Sequence, residues 1–138
     1  MKHYTGVWMD HRKAIIVRLE TGEPQIVTVT SDAHRPSKSS GGHHQKAPNA
    51  HQDVVAEDHR QHRYLQEMNT FYEKIFQHLL TADEMLLLGP GQSKKKFNHF
   101  VEQRHPGTLR LKAMHATGLM EPAEVMDYVC RVFKYHVH

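Results

Sequence analysis

Cysteine is almost missing from this chain, and that scarcity removes whole classes of structure. The 138 residues carry a single thiol, Cys130, so neither an internal disulfide nor a thiolate-rich zinc site can form. Long apolar runs are absent as well. Nothing approaches the roughly 20 consecutive apolar residues of a membrane-spanning helix, and Met1-Lys2-His3-Tyr4 opens without the apolar core of a secretory signal. We therefore expect a cytoplasmic protein with no membrane partner. No internal repeat or heptad run is visible, which argues against solenoids and coiled coils. The full phosphate-loop pattern of glycine, four residues and Gly-Lys-Ser/Thr is also lacking, which leaves nucleotide hydrolysis little support.

What is present suits one folded domain over 1–138, with an ordinary apolar fraction and a formal net charge of +3. A mild positive excess permits nucleic-acid binding without requiring it. Apolar periodicity supplies the elements. Thr5 to Asp10, Ala14 to Leu19 and Gln25 to Thr30 are β-branched or alternating runs. His11-Arg12-Lys13 and Thr21-Gly22-Glu23-Pro24 separate them, so the three make an antiparallel meander. A helix is predicted from a cap at Asp53 to about Leu80, on the spacing of Leu65, Met68, Tyr72, Ile75, Phe76 and Leu79. Its first turns lack that stripe and should project beyond the core. Met85-Leu86-Leu87-Leu88 reads as a strand covered on both faces. A helix over Ser93 to Arg104 comes next, then a strand from Thr108 to Met114 with Leu109, Leu111 and Ala113 on one face. The last helix opens at Pro122 and buries Val125, Met126, Val129, Cys130 and Phe133. The order β-β-β-α-β-α-β-α implies an α/β fold with a ribonuclease H-like mixed sheet and helices on its faces.

Two glycine-bearing segments stand out. Apolar residues almost vanish over about 31–52, which is expected to be a mobile polar loop with Gly41, Gly42, His43, His44 and Gln45 at its tip. The second is Gly89-Pro90-Gly91-Gln92-Ser93-Lys94-Lys95-Lys96, where three lysines open a helix. Cations are disfavoured at a helix N-terminus, while its free N–H groups attract anions. Gly89, Gly91, Ser93, Lys94, Lys95 and Lys96 are therefore candidates for holding an RNA phosphate; the alternative is a solvated lysine face.

The 14 histidines are the other excess. His34, His43, His44 and His51 lie in the polar loop, and His59 and His62 can share a helix face. Neutral imidazoles bind zinc, nickel or copper, so His59 and His62 are metal candidates, against a reading as solvated or pH-responsive groups. Asp10, at the end of the first strand, could hold Mg²⁺ for a nuclease, but such chemistry needs several converging carboxylates. Asp83 and Glu84 are expected at the opposite end of the sheet, so Asp10 is read as a turn residue that accepts from local amides.

Val7-Trp8-Met9-Asp10, the glycine pair before a long charged helix, and Leu86-Leu87-Leu88-Gly89-Pro90-Gly91 leading into a lysine-bearing helix form one constellation. In these features the chain resembles the middle domain of archaeal and eukaryotic class-1 release factors and of Pelota. It is also similar to small bacterial proteins related to that domain, of the translational machinery protein type. The resemblance implies a ribosome, rRNA or tRNA partner, and no cofactor is expected. In release factors the loop tip carries Gly-Gly-Gln, which promotes peptidyl-tRNA hydrolysis. Here Gly41-Gly42 is followed by His43-His44, and Gln45 comes two places late. The resulting expectation is a non-catalytic, RNA- or ribosome-associated translation accessory factor. The alternatives are a peptidyl-tRNA hydrolase or Mg-dependent nuclease, and a metal- or pH-responsive interaction protein.

Overall fold

A computed structural model describes residues 2–33 and 50–136, with side chains of the first helix described from residue 58 onward. Five strands and three helices follow the expected order: β1 (Tyr4–Met9), β2 (Lys13–Leu19), β3 (Gln25–Thr30), α1 (Ala50–Gln77), β4 (Glu84–Gly89), α2 (Ser93–Arg104), β5 (Arg110–Ala116) and α3 (Pro122–Phe133). The sheet runs β3-β2-β1-β4-β5. The meander is antiparallel, and β4 and β5 join it in parallel on the other side of β1. This is the ribonuclease H-like mixed sheet that the element order implied. Among the described residues, no helix is long and apolar enough to cross a membrane.

Side-chain alternation builds two cores, one on each face. Val7, Met9, Ala14, Ile16, Met85 and Leu87 point to the face covered by α1 and α2, where they meet Phe71, Ile75, Phe76, Phe97 and Phe100. Trp8, Ile15, Val17, Leu86 and Leu88 point to the other face, covered by α3 through Val125 and Val129. Central strands buried on both sides need apolar residues at every position, and the burial of β1 and β4 shows this. Gly6 sits under α3, where an added Cβ would stand 2.3 Å from Val129 Cγ2, so its lack of a side chain lets the helix approach.

Three expectations are corrected. First, α1 begins at Ala50, so Asp53 lies inside it instead of capping it; Ala50 to Gln52 hold no glycine or proline that would stop helical hydrogen bonding. It ends at Gln77, where the chain tightens through His78 N–H to Ile75 O and Leu79 N–H to Phe76 O. Second, Leu65 is 58% exposed, and Phe71 takes a core place instead. A 28-residue helix is about 42 Å long against strands of about 20 Å, so its first half runs past the sheet. Asp58 to Arg63 are accordingly all exposed. Third, Ala113 does not share a face with Leu109 and Leu111. The pairing of Met85 with Leu111 is followed by Leu86 with Ala113, so Lys112 is an extra residue and the alternation reverses. Leu109, Leu111 and Met114 pack under α1 and α2, and Ala113 packs under α3.

The last helix follows its sequence signals. Pro122 occupies the first turn, and Glu121 and Glu124 form a reciprocal capping box. Of its expected buried face, Val125 and Val129 are fully covered, while Met126, Cys130 and Phe133 are partly covered. Burial, with Asp127 adding to it, raises the Cys130 thiol above its ordinary range, consistent with a packing role.

Candidate nucleic-acid interface

The turn between β4 and α2 is built around Gly89. Its φ is +131°, and an added Cβ would meet Met9 O at 2.1 Å, so the end of β4 can lie against the end of β1 only without a side chain there. Gly91 then opens α2, whose N-cap is Gln92. No side chain caps this helix, and its first turn holds no acid. The first N–H groups of α2 therefore keep their partial positive charge unneutralised by the described side chains.

The three lysines separate here. Lys94 is 5% exposed, and its Nζ donates to Gly91 O at 2.9 Å, so it braces the turn from inside. Lys95 and Lys96 are exposed and stand beside Ser93 and Gly91 on the rim of a groove between α1 and α2. The structure thus brings together Gly91, Ser93, Lys95 and Lys96 as an outward-facing group. Gly89 and Lys94 support it from below.

Residues that the sequence reading did not select join this group. His11 arrives from the β1–β2 turn, and His99 and Arg104 lie further along α2. A signal for part of this was present: Gln92, Lys96, His99 and Gln103 recur at helical spacing, one polar stripe along α2. Nothing local in the chain announces His11. At the far end of α2, His105 stacks on Phe76 with ring centroids 3.8 Å apart and pairs with Glu73 at 2.9 Å, which ties α2 to α1.

The remaining candidates separate clearly. Asp10 accepts from Arg12 N–H at 2.8 Å and Lys13 N–H at 2.9 Å, as expected of a turn residue. Asp83 accepts from His3 N–H at 2.8 Å. Because β1 and β4 are parallel and Tyr4 pairs with Glu84, Asp83 and Glu84 lie at the sheet end opposite Asp10, and the three carboxylates do not converge. Trp8 is fully buried and donates from Nε1 to Thr117 Oγ1 and Gly118 O, a core role. His59 and His62 are exposed on α1, and among the described residues no three potential ligands gather to hold a metal. Gly41, Gly42, His43, His44 and Gln45 lie outside the described residues.

No protein-family model matches the chain, and no curated protein matches it in sequence. Solved structures do match its fold. The Pelota protein of Thermoplasma acidophilum superposes with a TM-score of 0.54 at 18% identity, covering 93% of this chain and 32% of that one. The archaeal translation termination factor aRF1 gives 0.55 at 10% identity, covering 98% of this chain and 35% of that one. Archaeoglobus fulgidus Pelota gives 0.53 at 10% identity, covering 94% and 31%. At such identities the likeness is one of fold, and this chain spans about a third of the length of the structures it matches.

Proposed function

We propose that this chain is a translation accessory factor that contacts RNA or the ribosome without catalysing a reaction. In this reading it corresponds to the middle domain of class-1 release factors and Pelota, and belongs with small bacterial proteins related to that domain. The observation that carries the reading is the fold shared over nearly the whole chain with an archaeal translation termination factor and two Pelota proteins. The α2 turn supports it. Lys95 and Lys96 stand exposed where the helix dipole already favours an anion, and no carboxylate among the described residues neutralises them. Gly91 and Ser93 offer backbone and hydroxyl donors beside them, Lys94 and Gly89 hold the turn in shape, and rRNA or tRNA phosphate is the anion of choice in the cytoplasm. A nuclease is disfavoured by the separation of Asp10 from Asp83 and Glu84. A release-type hydrolase is disfavoured by the place of Gln45, two residues late for Gly-Gly-Gln.

The test is sedimentation of the full chain with ribosomal subunits across a salt series, alongside binding to a plain RNA duplex. Association that weakens steadily as salt rises is expected. Failure to bind either partner at low salt overturns the reading, and release of peptide from peptidyl-tRNA by the purified chain replaces it with the hydrolase.

A further inference from the structure

The exposed lysines border a feature that phosphate contact does not use. Between α1 and α2 lies a groove of about 760 Å³. Its floor is apolar, formed by Leu65, Met68, Tyr72 and Phe100, and Leu65 offers a largely open side chain on a helix flank. Its rim is cationic or protonatable: His11, Lys95, Lys96, His99 and Arg104, with no carboxylate among the described residues of the lining. Tyr72 is 6% exposed, and burial, with Tyr64 adding to it, pushes its phenol up to about 12. The site thus combines apolar contact with excess positive charge.

We propose that this groove docks an amphipathic helix of a partner protein, apolar on one face and acidic along its flanks. The claim goes beyond the RNA reading and does not depend on it. The groove runs beside α2, whose 12 residues span about 18 Å, enough for anchors at i, i+3 or i+4, and i+7 of a docked helix. Leucine and methionine make a floor that adapts to such side chains. The rim meets acidic flanks with complementary charge. A nucleobase fits the floor less well, because bases stack on open aromatic faces. Tyr72 is packed edge-on to Phe97 at 5.8 Å and tilted on Phe100 at 5.5 Å, and the Arg104 guanidinium lies 5.2 Å from the Phe100 ring centre. The chain's own residues 34–49 contain no aspartate, glutamate or large apolar residue, so they lack the matching chemistry.

The test selects from displayed random peptides about 16 residues long, long enough for about four helical turns, on the folded full chain. Enriched peptides are expected to carry apolar residues at helical spacing with aspartate or glutamate around them. One enriched peptide is then titrated by fluorescence anisotropy against the wild type and Leu65→Asn, beside a plain RNA duplex. Since Leu65 is exposed, the variant should keep its fold, which circular dichroism checks. Peptide affinity should fall about tenfold or more on losing the apolar anchor, while duplex affinity stays within about twofold, since no charge changes. No enrichment, enrichment of basic or non-helical peptides, or equal affinity for the variant overturns the proposal. A parallel loss of duplex binding in Leu65→Asn assigns the groove to nucleic acid instead. Self-association of the wild type that the variant abolishes assigns it to a second copy of the chain. Loss of RNA binding by the wild type with peptide binding intact would sink only the translation reading.

Discussion

Changing Lys95 and Lys96 together to alanine should separate the lysines proposed to contact phosphate from the one that braces the turn. Both are exposed on an uncapped helix start, whereas Lys94 is buried on Gly91 O. Each duplex phosphate neutralised contributes about 0.9 to the log–log salt slope, so losing two contacts should flatten it by about 1.8. Over a fourfold rise in salt that difference corresponds to about twelvefold in affinity. Stability should hold or rise slightly, because two cations leave the positive end of the dipole, worth roughly 0.3–1 kcal/mol each. Lys94→Ala should behave in the opposite way. It removes a charged hydrogen bond and a buried stem, a cost of roughly 1–3 kcal/mol in unfolding free energy, and leaves the salt slope where it was. Fluorescence anisotropy on an RNA duplex at several salt concentrations, with urea unfolding of the same variants, reads both quantities. The reasoning fails if Lys94→Ala flattens the slope as much as an exposed lysine does, or if the double variant leaves it unchanged.

Three further outcomes test the packing of the fold. Gly6→Ala should cost roughly 1–3 kcal/mol by overpacking against Val129, and Val129→Ala alone should cost a similar amount by emptying that space. Combined, they should cost less than their sum by about 1 kcal/mol or more, and additive urea midpoints would refute the contact. Gly89→Ala has no such remedy, since the new methyl meets Met9 backbone at a positive φ; a loss of about 3 kcal/mol or more is expected, and a near-wild-type thermal midpoint would contradict it. Burial holds the Tyr72 phenol protonated up to about 12 in the folded chain, against about 10 when unfolded. Its contribution is therefore fully present below pH ~10 and is lost as pH rises toward ~12, because there the unfolded chain binds fewer protons. Stability measured against pH should fall more steeply over that window for the wild type than for Tyr72→Phe; parallel curves would show the phenol is not held.

The amino-acid sequence alone determined the order of elements, the doubly covered strand at Met85 to Leu88 and the turn residue Asp10. Those follow from local rules: periodicity, turn chemistry and β-branched runs act over a few residues and are read directly. It also placed Gly89 to Lys96 at a helix start, where the charge of the proposed site lies. Only the tertiary structure decided which of three consecutive lysines faces water, because that depends on how far α2 sinks toward the sheet beside Gly91. Only it decided that Leu65 is open, since a helix outruns its sheet according to how the two are laid together, and that Ala113 changes face, since one extra residue in β5 is visible only against its partner β4. Likewise His11 reaches the groove because β1 and β2 turn beside α2, a neighbourhood made by sheet order across most of the chain. Spacing along one helix shows which of its residues share a face; what that face meets is set by long-range packing, which no local pattern encodes.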